Sequence, residues 1–305
     1  MRVFITGATG FVGQAIGNQL CLAGHDLTIL VRQAAAPLTC EIAHRWRART
    51  LAGDATRDGL WTSQLEGIDA AVHAVGIISE QGAATFENVH VQGTRRVLAA
   101  LRQNHVQRLV HISALGTRPD GISRYHQTKW AAEEMVRHSG LNYTILRPSV
   151  IYGPQDHFVN RFARMSRFSP TLPVIGSGLA KLQPISVGAV AVSVAAALRL
   201  DKSIGRTLDL CGPEPMSLRT LLEQILGVLG RKRWIVPLPL TIARPMAAFG
   251  EWVFPAWLKQ PPPLSRDQII MLQEDNVGDP GPARDLFGFA EPGFREGIAR
   301  FLAAG

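Results

Sequence analysis

The sequence predicts an α/β fold, a doubly wound parallel sheet with a small mixed C-terminal lobe. Three observations predict it. Strand-like and helix-like runs alternate through the first half of the 305-residue chain. The strand-like runs are almost continuously apolar, as in sheets covered by helices on both faces. A glycine-spaced loop sits where the first strand gives way to the first helix, the place where such sheets turn to meet a ligand. With 46% hydrophobic and 18% charged residues the chain reads as globular, long enough for one large domain or two packed ones.

The elements follow in order. Arg2–Thr6 is expected to be a strand, and no signal peptide is expected before it. A helix is expected near Val12–Ala23 and a strand at Leu27–Val31. The basic run His44-Arg45-Trp46-Arg47-Ala48-Arg49 reads as a solvated strand edge leading into Arg49–Leu51. Further strands are expected at Ala70–Ala74, Arg108–Ser113 and Tyr143–Leu146, with helices near Phe86–Asn104 and Arg124–Ser139.

Beyond Leu146 the rhythm changes. Prolines and glycines cluster through Pro148–Pro184, and Pro261-Pro262-Pro263 forms a second run. Helical pieces are expected around Leu218–Leu229, Ile242–Phe254, Arg266–Glu274 and Arg295–Leu302. The chain divides into a dinucleotide-binding domain over 1–147 and a substrate or interaction lobe over 148–305. From the lobe, 186–211 is expected to return to the sheet as a helix near Ser186–Leu200 and a strand at Leu208–Cys211.

Several classes are set aside. Cys21, Cys40 and Cys211 are too few and too scattered for a disulfide framework or a metal ladder, which suits a reducing compartment. Nine histidines show no paired metal-ligand spacing. The longest apolar stretch, Ile235–Phe254, is broken by Pro237, Pro239, Arg244, Pro245 and Glu251, a poor transmembrane helix. A cytoplasmic protein is expected. The net charge of +8 comes without a nucleic-acid motif, so no nucleic-acid partner is expected.

The most informative motif is Thr6-Gly7-Ala8-Thr9-Gly10-Phe11-Val12-Gly13. Glycines there allow a tight turn and let backbone N–H groups approach a pyrophosphate, which the positive end of the following helix also attracts. This is the Rossmann-type arrangement for a nicotinamide dinucleotide, and its Gly-x-x-Gly-x-x-Gly spacing resembles the extended and atypical branches of the short-chain dehydrogenase/reductase family. Arg32 ends the second strand where an acid would bind the free ribose of NAD. A cation there can meet a 2′-phosphate, so NADP(H) is expected over NAD(H). Asp54 matches the family position whose acid contacts adenine, though an ordinary turn aspartate fits as well. Ala74, Val75 and Gly76 would lie under the cofactor.

Tyr125-His126-Gln127-Thr128-Lys129 reproduces the family's Tyr-x-x-x-Lys, which on a helix places both side chains on one face. Tyr125 would exchange a proton with a hydroxyl or carbonyl, and Lys129 would favour its phenolate and hold the nicotinamide ribose. The family's serine or threonine is the gap. Alignment with the epimerase-like pattern puts Ala114, not Ser113, at that position, and one step along a strand turns a side chain to the other face. Ser113 is then expected against the cofactor or in packing. His90 stands where the epimerase branch has asparagine and is counted with the cofactor-binding residues; a structural hydrogen bond is expected of it, with a catalytic role as the alternative.

The loop Leu146-Arg147-Pro148-Ser149-Val150-Ile151-Tyr152-Gly153-Pro154 matches the one that closes over nicotinamide in extended members, with Pro148 and Val150 at the cofactor. With Asp156–Phe162, Leu172–Gly178, Gln183–Ile185, Val187, Asp267-Gln268 and Asp275–Val277, it resembles bacterial relatives of the nucleotide-binding accessory subunit of respiratory complex I. The resemblance implies NADPH held as a structural or regulatory ligand, and a respiratory complex or membrane surface as partner at the inner face of the cytoplasmic membrane. An active oxidoreductase or epimerase using Tyr125, and a redox-sensing regulator, are the alternatives. The mixed apolar and basic segment Trp234–Lys259 fits a membrane interface or partner. A packed lobe helix with Trp252 and Trp257 in the core is the plainer expectation.

Overall fold

The computed structural model of the chain describes residues 1–254, 257 and 262–302. The first half winds as β1 (Arg2–Thr6), α1 (Phe11–Leu22), β2 (Asp26–Val31), α2 (Pro37–Trp46), β3 (Arg49–Ala52) and β4 (Ala70–His73). It continues with α3 (Gly93–Gln103), β5 (Arg108–Ile112), α4 (Arg124–Arg137) and β6 (Asn142–Pro148). The lobe begins with β7 (Ile151–Tyr152), α5 (Val159–Phe168), β8 (Thr171–Ile175), β9 (Lys181–Leu182) and β10 (Ile185–Ser186). Then α6 (Val187–Arg199) and β11 (Arg206–Leu210) return to the main sheet.

Seven strands form that sheet in the order β11-β6-β5-β4-β1-β2-β3, all parallel. The fold is therefore the doubly wound Rossmann-type sheet expected. The chain runs outward from β1 through β2 and β3, then crosses back to β4 on the other side of β1. That reversal opens a crevice at the carboxyl ends of β1 and β4, where open α/β sheets place ligands. One face of the sheet is covered by α1 and α6, with Ile16, Leu20, Val190 and Val194 buried against Val3, Ile5 and Ile29. The other is covered by α3 and α4, through Val97, Leu101 and Val136 over Phe4, Leu109 and Ile145.

The remaining lobe elements are β12 (Met216–Ser217), α7 (Leu218–Val228), β13 (Trp234–Leu238), α8 (Leu240–Val253), α9 (Arg266–Met271), α10 (Gly281–Phe287) and α11 (Phe294–Leu302). Three strand pairs, β10 with β7, β12 with β9 and β13 with β8, tie the lobe together. Its core gathers Tyr152, Val159, Leu172, Leu221, Ile225, Phe294 and Ile298.

Several expectations change. The basic run from His44 is not a strand edge as far as Trp46. Thr39, Ile42 and Trp46 recur at helical spacing and are all buried, so the stretch closes α2. Arg47, at φ 50°, ends that helix, and the strand starts at Arg49. The helix expected over Phe86–Asn104 opens with a π-helical turn, Glu87–Gln92, which buries Val89, His90 and Val91 in succession. Trp252 and Trp257 are not in the core; they are 65% and 76% exposed. Small residues explain this for α8, because Ala243, Ala247 and Gly250 make its inward face and leave the large side chains outside. Of Trp234–Lys259, residues 255, 256, 258 and 259 lie outside the described residues, as does Pro261 of the proline run.

Candidate functional site

The loop between β1 and α1 sits at the sheet reversal. Gly7 has φ +79°, a conformation unfavourable for any side chain, and a Cβ there would meet the Ala74 carbonyl oxygen at 2.7 Å. At Gly13, in the first turn of α1, a Cβ would overlap the Gly7 carbonyl. The turn is thus closed on itself by bare backbone, with Gly10 N–H donating to the Gly7 oxygen at 3.1 Å. Gly10 is also the N-cap of α1, which has no capping side chain and no acid in its first turn. The amides of Phe11, Val12 and Gly13 therefore lead the helix dipole into the crevice, and a diphosphate fits that end by charge and by space. The Phe11 ring leans toward the lobe, 3.2 Å from where a Cβ on Gly153 would stand. Thr9 contributes its carbonyl to Gln14 Nε2 at 3.1 Å, bracing the loop.

Around this loop the expected residues fall at the strand ends. Arg32 directly follows β2 and is exposed, with no side-chain partner among the described residues. Its guanidinium is available to a phosphate. Asp54 is engaged locally: its Oδ1 accepts from Thr56 N and Thr56 Oγ1, both at 2.8 Å. That is the turn role, with the second oxygen left over. Ala74, Val75 and Gly76 follow β4, and Ala74 N–H donates to Thr6 O at 3.2 Å, which joins the two sides of the crevice.

Tyr125 and Lys129 lie one turn apart on α4, and both are buried. Lys129 Nζ donates to the Ile112 carbonyl at 2.9 Å and passes 3.3 Å from the Cβ that Gly76 lacks. Burial lowers its pKa to about 8. The Tyr125 phenol is pushed well above its ordinary value, and burial is the sole cause. Lys129 thus does not activate the phenol within the protein alone, because its ammonium is turned to the β5 carbonyl.

The rings of Phe86, His90 and His126 pack edge-on to Tyr125, at 5.8, 5.4 and 5.3 Å. Phe86 and Ala114 are buried in one apolar cluster with it, and Ile77 and Met271 pack alongside. Ala114 thus belongs to the same buried apolar cluster as Tyr125. Ser113 is buried one step away, with its Oγ 3.5 Å from Thr117 Oγ1. His90 uses both ring nitrogens: Nε2 accepts from Ile77 N–H at 3.1 Å, which leaves Nδ1 to donate to Thr128 Oγ1 at 2.9 Å. Burial drops its pKa to about 2, so it is a neutral brace holding the segment after Gly76. Pro148 ends β6 and its carbonyl accepts from Leu115 N–H at 2.8 Å, while the Val150 carbonyl accepts from Ile185 N–H at 3.0 Å. The first bond places Pro148 beside Leu115, and the second ties Val150 to β10.

Two features escaped sequence reasoning. Asp267, on α9, receives the amides of Arg124 and Tyr125 at 2.8 and 3.0 Å, so a lobe carboxylate caps the helix that carries the tyrosine. Asn276 extends the clamp by donating to Leu115 O at 2.9 Å and accepting from Ser149 Oγ at 2.6 Å. Asp267-Gln268 and Asn276 were legible as motifs but not as clamps, since nothing local says what they meet. The second feature is a buried polar string beneath the crevice. His73 joins Thr6 Oγ1 at 2.6 Å to Thr94 Oγ1 at 3.1 Å, and its ring lies 5.3 Å from that of His111.

Comparison with known proteins agrees with this geometry. The pattern of a family described as NAD(P)H-binding matches residues 7–167. The NADH dehydrogenase (ubiquinone) 1 alpha subcomplex subunit 9 of Arabidopsis thaliana mitochondria is 28% identical over 90% of this chain. The chain spans 68% of that subunit's length and 64% of the mouse counterpart's. A 4-hydroxy-2-methyl-3-oxo-4-farnesyl-3,4-dihydroquinoline-1-oxide ketoreductase from Stigmatella aurantiaca is 26% identical, covering 95% of this chain and 92% of its own. Among solved structures, a dTDP-glucose 4,6-dehydratase from Streptomyces venezuelae with NAD and TYD bound superposes with a TM-score of 0.77. It is 22% identical and covers 99% of this chain and 96% of its own.

Proposed function

From the premise that this chain belongs to the NAD(P)H-binding family, with the epimerase/dehydratase-like short-chain dehydrogenase fold, we propose that it holds NADP(H) as a structural or regulatory ligand. On this reading it is an accessory or assembly component of a respiratory complex, working at the inner face of the cytoplasmic membrane. The likeness to mitochondrial NADH dehydrogenase subunits supports that partner. The observation that carries the reading is the buried apolar cluster around Tyr125, in which Ala114 brings a methyl group and no hydroxyl. A hydrogen-bond donor aimed at developing charge typically contributes a few kcal/mol to a transition state, and a methyl group contributes none.

The parts that would hold the nucleotide are intact. The α1 amides would take the diphosphate, Arg32 the 2′-phosphate, and Lys129 the nicotinamide ribose once it leaves the Ile112 carbonyl. When bound, the nucleotide would supply a hydride. This chain's own contribution is to hold it, to exclude water with Phe86, Ile77 and Met271, and to keep Tyr125 protonated.

The test is to denature the purified protein, identify what is released, and assay the native protein against ketones and sugar nucleotides. Stoichiometric NADP(H) without turnover is expected. NADPH oxidation that Tyr125→Phe abolishes would establish the second reading as an oxidoreductase, and Tyr125-dependent interconversion of sugar-nucleotide epimers without net change in the nucleotide would establish it as an epimerase. Retention of both Tyr125 and Lys129 beside the crevice favours that alternative, as does the likeness to a ketoreductase.

A further inference from the structure

Helix α8 is inside out for a lobe helix. Its small residues Ala243, Ala247 and Gly250 are buried, and Ala243 and Ala247 pack with Ile269, Ile175 and Leu264. Its large ones, Ile242, Met246, Phe249 and Trp252, are 49, 59, 64 and 65% exposed and recur every three or four positions as one stripe. The strand before it does the same, since Trp234 and Val236 share a face and are 77 and 45% exposed. A contiguous apolar row of this kind on a globular protein marks a contact surface.

The charge around it is one-sided. Between His157 and Leu200 the sequence has no aspartate or glutamate, and α5 presents Arg161, Arg164 and Arg167 to solvent. Between Gln224 and Gly250 it again has none, but carries Arg231, Lys232, Arg233 and Arg244. These stretches meet in space: Arg231 Nη1 donates to Ala163 O at 2.9 Å and Arg233 Nε to Ser166 O at 2.8 Å, while β13 pairs with β8. Glu251, the first acid after the gap, is paired with Arg266 at 2.6 Å. Glu223 lines one groove with Arg219, Arg231, Lys232 and Arg233 and is outnumbered there.

We propose that this face, formed by α5, β13 and α8, docks on an anionic lipid surface. Exposed tryptophan and phenylalanine with flanking basic residues is the composition of an interfacial helix, and negative headgroups supply the missing countercharge. Nucleic acid would use the charge but leave the apolar stripe in water. Among the described residues no helix is long and apolar enough to cross a membrane. The inference deepens the membrane-side reading above and is independent of what the nucleotide does.

The experiment is vesicle flotation of the purified full chain. Phosphatidylcholine vesicles containing phosphatidylglycerol should carry the protein, phosphatidylcholine alone should not, and salt should weaken the binding. Arg164→Gln, Lys232→Gln and Arg244→Gln should each lower partitioning about fivefold. Phe249→Ser with Trp252→Ser should lower it at least tenfold, on the order expected for two large apolar side chains. Bound nucleotide, measured on the same samples, should stay at the wild-type level, which separates this proposal from the cofactor reading. The proposal is overturned if anionic vesicles leave the protein behind, or if binding ignores these substitutions. A wild-type dimer that the Phe249→Ser Trp252→Ser variant splits would assign the face to a second copy. Duplex DNA binding that this variant keeps would assign the charge to nucleic acid, and either result also overturns it.

Discussion

Burial gives Lys129 a pKa of about 8 in the folded protein, below its unfolded value of about 10.4. A lysine with a depressed folded pKa penalises the native state while charged, and the penalty is fully present below pH 8. Stability should therefore rise with pH from about 8 to about 10.4 as the native state sheds its proton first. Lys129→Met should be more stable than wild type at pH 7 and lose that slope in urea unfolding at pH 7 and pH 10. A variant that keeps the slope would place its origin elsewhere. Histidines act at the acid end. His73 and His111 are buried, with pKa values lowered by desolvation, that of His73 to about 3, so both are neutral in the native state. Protonation of the unfolded chain below about pH 6.5 then draws stability away down to about pH 3. Both ring nitrogens of His111 lack a protein partner. His111→Leu should be neutral or stabilising at pH 7 and should make acid unfolding less steep, as followed by circular dichroism; a large loss at pH 7 would contradict this. None of this was legible beforehand, because the pair forms through the register of β4 on β5, His73 opposite His111, and no spacing within one strand reveals it. The shared helix face of Tyr125 and Lys129 was legible, since helical spacing alone places them one turn apart, whereas Ala114 was singled out only by counting against the family pattern.

At the scale of elements, α4 is where sheet and lobe are coupled. Its N-terminus is held twice, by Ser123, whose Oγ accepts from His126 N–H at 3.1 Å, and by Asp267 across the lobe boundary. Asp267→Ala should cost about 1 kcal/mol, as loss of a cap does, while leaving Ser123 to preserve the helix. Chemical unfolding measures that cost, and amide exchange at Arg124 and Tyr125 should quicken; unchanged exchange would deny the clamp. Long elements with a clear period were readable: the seven sheet strands all appear, and α7 starts at the expected Leu218. Two-residue strands such as β7 and β10 were not, because they exist only through pairing with each other. Helices α5 and α10 were also missed. Proline and glycine around them suggested irregular chain, yet Pro280 is the N-cap of α10 and Gly281 and Pro282 are its first two residues.

For the whole molecule, the sheet reversal determines where a nucleotide can sit, and the lobe determines what surrounds it. The first was written in Gly7 and Gly13, whose missing side chains let two backbone segments touch. The second was not, because the outward face of α8 depends on which residues the rest of the lobe leaves uncovered. The central claim is that a dinucleotide rests on the amides that open α1. Titration of nucleotide-stripped protein with NADPH, followed by its fluorescence, tests this directly when wild type is compared with Gly13→Ala. Saturable binding of one nucleotide per chain is expected for wild type, and its loss in a Gly13→Ala protein that keeps its helical spectrum. Equal binding by both, or none by wild type at any concentration, would contradict the account.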